Sequence, residues 1–115
     1  MDKVKKDLSV IEHILAYCDE IEQTVTRFGG TFESFETDKI YRNAATMCIL
    51  QIGELAGRLS PEFTESHPDV PWRSIKGMRN IAAHAYGSIS IPDVWDTITT
   101  DIPLLKDYCK KILGV

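Results

Sequence analysis

The stretch RNIAAHAYG contains the residues of this sequence whose side chains are best suited to chemistry. It places Arg79, Asn80, His84 and Tyr86 among small apolar residues. An arginine guanidinium can bind a phosphate through two parallel hydrogen bonds. A histidine imidazole titrates near neutral pH, so it can accept a proton in one step and donate one in another. These residue types together favour chemistry on a phosphodiester.

A helix through this stretch would place its polar residues on one side. At about 100° of rotation per residue, Asn80 lies about 100° and His84 about 140° around the axis from Arg79. Tyr86 is nearly aligned with Arg79, two turns away, if the helix extends that far. An ordinary amphipathic helix with a solvated polar face also fits this pattern. The neighbouring alanines favour a site, because a solvated face usually carries glutamate and lysine.

Length and composition indicate one soluble globular domain over residues 1–115. Hydrophobic residues make up 43% and charged residues 26% of the sequence, which is typical of such proteins. No apolar run approaches the ~20 residues that span a bilayer, and no apolar stretch of signal-peptide type follows the N-terminal charges. We therefore expect a cytoplasmic protein without a membrane partner.

The net charge of −4 argues against a broad electrostatic surface for nucleic acid. A small positive cleft is still compatible with it, because Arg73, Lys76 and Arg79 lie within seven positions of one another. The cysteines Cys18, Cys48 and Cys109 are far apart and occupy apolar positions of helical patterns, so we expect buried, reduced thiols. The histidines are equally scattered. The sequence predicts no protein-built metal site and no cofactor.

The apolar periodicity predicts an all-α bundle of four main helices. The first three are expected over residues 4–28, 37–59 and 72–85, with a connector over residues 61–71. The first helix is expected to bury one apolar face, formed by Val4, Leu8, Ile11, Leu15, Cys18, Ile21 and Val25. Gly29 and Gly87 are expected to end the first and third helices. Ser90 is expected to begin the last helix.

Two features of these helices predict tertiary contacts or distortions. Gly53 and Gly57 share one face of the second helix, which favours the close approach of another helix backbone, because glycine costs ~1 kcal/mol relative to alanine in a helix. Pro103 lies within the last helix and should kink it without ending it. Trp72 and Trp95 are expected to pack in the core or at an interface.

The sequence resembles the HepT-like family, within the wider group of HEPN domains. RNIAAHAY matches the R-x4-H-x-Y motif of that family. Similar segments are IGELAGRLS (52–60), PWRSIKGMRN (71–80) and VWDTITTDIPLL (94–105). The resemblance therefore covers nearly the whole chain.

This resemblance implies a four- to five-helix up-and-down bundle of HEPN type that forms a homodimer. It implies the toxin of a type VII, antitoxin-modified toxin–antitoxin system, acting on RNA as a metal-independent endoribonuclease. Its antitoxin would be a minimal nucleotidyltransferase that transfers AMP to a tyrosine and thereby silences the toxin. Carried over to this sequence, the catalytic residues are Arg79 and His84, Asn80 supports them, and Tyr86 is the AMP-modified tyrosine.

Physical chemistry adds a reason for a composite site in the dimer. RNA cleavage by the 2′-hydroxyl needs a base, an acid and positive charge against the phosphorane. One chain offers one suitable histidine, whereas a two-fold dimer would supply two copies each of His84 and Arg79 in one cleft. Two other interpretations remain open. One is a non-catalytic helical dimer that binds a nucleotide or a nucleotidyltransferase partner; the other is a purely structural bundle.

Overall fold

The computed structural model describes residues 2–86 and 91–115, and for residues 84–86 it describes the backbone alone. All regular structure in these two ranges is helical, which confirms the predicted all-α fold. The helices are α1 (Asp2–Phe28), α2 (Phe32–Thr37), α3 (Lys39–Ala56), α4 (Pro61–Ser66), α5 (Trp72–Tyr86), α6 (Ile91–Asp96) and α7 (Ile102–Leu113), with a π-helical turn (Thr97–Asp101) between the last two. The predicted helix boundaries at Gly87 and Ser90 lie outside the described residues. None of the helices in the described ranges has the length and hydropathy to cross a membrane.

Helix α3 is the centre of the bundle, since it packs extensively against both α5 and α1, while α1 also packs against α7. The buried face of α1 includes Ile11, Cys18 and Ile21, as the periodicity predicts. The prediction is wrong at Val4, whose side chain is 57% exposed. The face rotates slightly because Ile14 points fully into the core in place of the half-buried Leu15.

The predicted second helix corresponds to α3, and the additional short helix α2 precedes it. Thr31 begins α2, where its side chain accepts a hydrogen bond from the backbone N–H of Ser34. Asp38 then begins α3, because its carboxylate accepts hydrogen bonds from the N–H groups of Ile40 and Tyr41 at 2.9 and 3.2 Å. Such N-capping satisfies donors that lack partners in the first turn of a helix. The helix expected over residues 37–59 is therefore confirmed as α3, although it begins two residues later and ends three residues earlier than expected.

An aromatic cluster joins the end of α1 to α2, α3 and α6. The ring of the fully buried Tyr41 lies 5.2 Å from that of Phe28, 5.0 Å from Phe35 and 6.4 Å from Trp95. The Tyr41 hydroxyl donates to the carbonyl of Gly29 at 3.0 Å. Gly29 ends α1 with φ of +115°, a conformation that side chains disfavour. The expectation that Trp95 packs against the core is confirmed.

The connector after α3 contains one short helix, α4, whose start is tied to α1. The carboxylate of Asp7, only 4% exposed, accepts hydrogen bonds from the backbone N–H and the hydroxyl of Ser60 at 2.9 and 2.7 Å. Ser60 in turn accepts from the N–H of Phe63 and so caps α4. Trp72 follows this connector and donates its indole N–H to the carbonyl of His67 at 3.0 Å. The carboxylate of Asp7 and the indole N–H of Trp72 are thus both paired, as is usual for buried polar groups.

The last helix continues past Pro103, as predicted, because the backbone widens before it. Within the π-helical turn, the N–H of Ile102 donates to the carbonyl of Thr97, five residues earlier. Proline lacks an N–H, and its ring clashes with the carbonyl four residues before it in a regular α-helix. A π-helical turn relieves that conflict without ending the helix.

Close contact between α3 and α5 occurs at Gly53. A Cβ atom at this position would lie 2.6 Å from the backbone nitrogen of Arg79 and 3.1 Å from its Cα. The predicted approach of another helix backbone is therefore confirmed at Gly53. The same prediction is wrong for Gly57, where a Cβ would meet only the carbonyls of Glu54 and Gly53 at 3.4 and 3.8 Å.

We expect Gly53→Ala to destabilise the protein by about 1–3 kcal/mol, because the added methyl group would force α5 away from α3. Gly57→Ala is the matched control and should be neutral or stabilising by up to ~1 kcal/mol, since the site has ordinary space and a right-handed backbone. Urea unfolding followed by circular dichroism measures both changes. Equal unfolding free energies for the two variants would contradict the tight contact at Gly53.

Candidate active site on helix α5

Helix α5 has a buried face and an exposed face. Ile75, Met78 and Ala82 are buried against the core. The exposed residues on the other side are Arg73, Lys76, Arg79, Asn80 and Ala83. The apolar spacing of the first set explains this division, because residues three and four apart lie on one side of a helix. Arg79 and Asn80, two of the predicted site residues, are therefore both accessible.

The guanidinium of Arg79 forms an ion pair with Glu54 of α3. Its Nε atom lies 2.7 Å from Oε1 of Glu54, and the two side chains are 65% and 39% exposed. An ion pair with this much solvent contact contributes about 0–1 kcal/mol to stability. The sequence did not identify Glu54 as the partner of Arg79. Apolar periodicity shows which residues share a face of one helix, but it does not show which residues of two different helices come into contact.

The helical backbone of α5 extends to position 86. Positions 79 and 86 are therefore nearly aligned along the helix, as the sequence predicts for a helix of this length. Position 84 follows Asn80 by one helical turn. The side chains of His84 and Tyr86 lie outside the described residues. Among the predicted site residues, the structure therefore describes the surroundings of Arg79 and Asn80.

Three cations repeat along the exposed side of α5. Arg73, Lys76 and Arg79 are spaced by three residues and are all exposed. At this spacing each follows the previous one by nearly one turn, or about 4.5 Å along the axis. The helix therefore presents a local positive strip on a chain whose net charge is −4. The three basic residues therefore lie on one exposed helix, while the small positive cleft stays a prediction.

The other two histidines lie away from α5. The Nδ1 atom of His13 lies 2.7 Å from the carbonyl oxygen of Ser9 within α1. The His67 ring lies against Phe63 at the end of α4, with 4.7 Å between ring centroids. In the described ranges, no group of three or more histidine, cysteine, aspartate or glutamate residues could hold a metal ion.

The three cysteines are buried and unpaired, as predicted. Burial raises the pKa of the Cys109 thiol to about 12 and raises the pKa of Cys18 above its usual range as well. The pKa of Cys48 is also raised, first by burial and then by Glu20, whose carboxylate accepts a hydrogen bond from the thiol at 2.8 Å. Thiols protonated at neutral pH are poor nucleophiles, so these side chains are packing groups.

Comparison with known proteins identifies the family. Residues 14–112 match the family described as ribonuclease HepT-like. The chain belongs to this family. The match includes all of α5 with its R-x4-H-x-Y sequence, and it also includes Gly53 and Glu54. The resemblance noted from the sequence motifs is thus confirmed. The all-α bundle is a member of a family of ribonucleases.

Individual relatives agree with this assignment. The HepT-like chain is 37% identical over 103 residues to a protein of Caldanaerobacter subterraneus subsp. tengcongensis named "Putative RNase", with 90% of each chain covered. It is 35% identical over 81 residues to a Thermococcus cleftensis protein named "Probable ribonuclease HepT", which covers 70% of this chain and 74% of that one. No solved structure matches the chain.

Proposed function

We propose that this protein is a metal-independent endoribonuclease whose active site contains Arg79 and His84, supported by Asn80. Residues 1–115 would form one HepT-like domain that works in the cytoplasm as a homodimer. Its biological role would be that of a toxin in a type VII toxin–antitoxin system. The observation that supports this most strongly is the match of residues 14–112 to a ribonuclease family, with Arg79 exposed on the helix that contains the family motif.

The proposed reaction is transesterification within the RNA chain. A base removes the proton of a ribose 2′-hydroxyl, and the resulting oxygen attacks the adjacent phosphorus. The phosphorus–5′-oxygen bond breaks while an acid protonates the departing oxygen, so the products are a 2′,3′-cyclic phosphate and a 5′-hydroxyl. His84 would provide the proton transfers, and Arg79 would stabilise the negative charge of the phosphorane. Arg73 and Lys76, exposed on the same helix, would bind neighbouring phosphates of the RNA.

A homodimer would supply the second histidine that this reaction requires. The exposed face of α3 supports such an interface, because Ile40 and Met47 are 69% and 47% exposed and lie seven residues apart. The same spacing leads from Met47 to Glu54, the ion-pair partner of Arg79. Residues seven apart lie on one face of a helix. A second copy packed on this face with the two-fold axis near Glu54 would bring its own α5 close to Arg79.

Control of the activity would depend on Tyr86. A minimal nucleotidyltransferase antitoxin would transfer AMP from ATP to the tyrosine hydroxyl, with release of pyrophosphate. The helical backbone reaches this residue, and its position is nearly in line with that of Arg79. The phosphate of the adduct would compete with RNA for the guanidinium, while the nucleoside would obstruct the cleft.

Purified protein should cleave total RNA in the presence of EDTA and leave 2′,3′-cyclic phosphate ends. His84→Ala should reduce the rate at least ~10²-fold, because proton transfer by a positioned group contributes that much. Arg79→Lys should also be impaired, because a point charge cannot bind phosphate in a bidentate way. Gel electrophoresis and end-group analysis measure these outcomes. Loss of cleavage in EDTA or 3′-hydroxyl ends would contradict the mechanism, and absence of cleavage altogether would favour the non-catalytic dimer.

Met47→Glu should convert the homodimer into a 13.0 kDa monomer with greatly reduced cleavage, because a charge cannot be buried in an apolar interface without a partner. Val4→Glu is the matched control, since Val4 is similarly exposed but lies on α1. Light scattering at micromolar concentration measures the mass of each variant. A wild-type protein that is monomeric under these conditions would rule out the shared cleft.

Incubation with ATP, Mg²⁺ and a cognate nucleotidyltransferase should add AMP to Tyr86 and abolish cleavage. Tyr86→Phe should stay unmodified and should no longer be neutralised through AMP transfer, because it lacks the acceptor hydroxyl. Intact-mass measurement and peptide mapping identify the adduct and its position. Modification at Tyr17, Tyr41 or Tyr108 in place of Tyr86, with equal loss of activity, would show that the assignment is wrong.

A further inference from the structure

Two consecutive residues of α3 contact Arg79 in different ways. Gly53 meets its backbone, with space for no Cβ atom between the two helices. Glu54 meets its side chain, with 2.7 Å between Oε1 and Nε of the guanidinium. The backbone contact positions the Cα atom of Arg79, and the carboxylate positions its guanidinium. One segment of α3 therefore controls both ends of this side chain.

We infer that Glu54 is a positioning residue that orients the Arg79 guanidinium for its role in cleavage. The inference rests on the proposed ribonuclease function, since it assigns a partner to an arginine of that site. The contact engages Nε, the nitrogen nearest the backbone. A phosphate can be bound through the Nη1–Nη2 edge of the same guanidinium, so the ion pair and substrate binding are geometrically compatible.

The exposure of the pair separates positioning from fold stability. Both side chains retain solvent contact, and such pairs contribute little to the stability of a fold. The close approach at Gly53 does not involve the Glu54 side chain. Removing the Glu54 charge should therefore leave the fold intact while the long arginine side chain samples more orientations. Misplacement of a catalytic group by about 1 Å can cost as much as a hundredfold in rate.

The charge of Glu54 should also oppose RNA binding, because it places a carboxylate beside the arginine that meets a phosphate. Neutralising it should leave RNA binding equal or tighter while the cleavage step becomes slower. This opposite effect on binding and rate distinguishes an orienting carboxylate from a residue that merely supports the fold, whose loss would weaken both. It also distinguishes Glu54 from a proton acceptor, whose loss would remove the acidic limb of the pH–rate profile.

The test compares Glu54→Gln with Glu62→Gln, a control that neutralises the exposed ion pair of Glu62 with Lys3 on α1. Cleavage of a fluorescent single-stranded RNA oligonucleotide of mixed sequence gives kcat and KM between pH 5 and 9. For Glu54→Gln we expect kcat to fall about ten- to a hundredfold, with KM equal or lower, the shape of the pH profile retained and the thermal midpoint unchanged. Glu54→Asp should recover part of the rate, and Glu62→Gln should match the wild type.

A nuclear magnetic resonance measurement tests the pairing independently of cleavage. The Nε–H signal of Arg79, assigned with Arg79→Lys, should shift and exchange faster with water in Glu54→Gln but remain unchanged in Glu62→Gln. An unchanged signal in Glu54→Gln, an unchanged kcat, or loss of the acidic limb each overturns the positioning role. Wild-type protein that does not cleave, or Arg79→Ala that cleaves normally, instead overturns the proposed function on which this role rests.

Discussion

The contact between Gly53 and the backbone of Arg79 sets the distance between α3 and α5, and the candidate site depends on that distance. Only a residue without a side chain allows a separation at which a Cβ would lie 2.6 Å from a backbone nitrogen. Helix α3 also packs against α1, which in turn packs against α7. The helix that presents the motif is therefore held against the centre of the bundle at the motif's first residue.

The division of α5 into two faces gives the site its accessibility. Ile75, Met78 and Ala82 provide the apolar contacts that hold the helix, so the opposite side is free to carry charge. Arg79 remains 65% exposed although it is paired with Glu54. An exposed strip of cations suits a long polyanion better than a small molecule, because RNA contacts a protein along its backbone. Membership of a ribonuclease family agrees with this arrangement.

Other polar groups of the bundle have structural roles that are distinct from this site. Asp7 is buried, and both hydrogen bonds it accepts come from Ser60, which joins α1 to the beginning of α4. The Cys48 thiol donates to Glu20, and burial keeps the cysteines protonated. The π-helical turn accommodates Pro103 within the last helix. These features respectively cap a helix, pair a buried polar group and accommodate a proline that lacks a backbone N–H.

The sequence alone determined the helical class, most of the buried faces and the residues of the motif, because apolar spacing and residue chemistry are local properties. It also identified Gly53 as a point of close approach, since an interior glycine requires a compensating contact. The extra short helix α2, the exposure of Val4 and the different surroundings of Gly57 were decided by tertiary structure. So was the pairing of Glu54 with Arg79, because the rotation and spacing of two packed helices depend on every contact between them, and no pattern within either helix specifies that geometry.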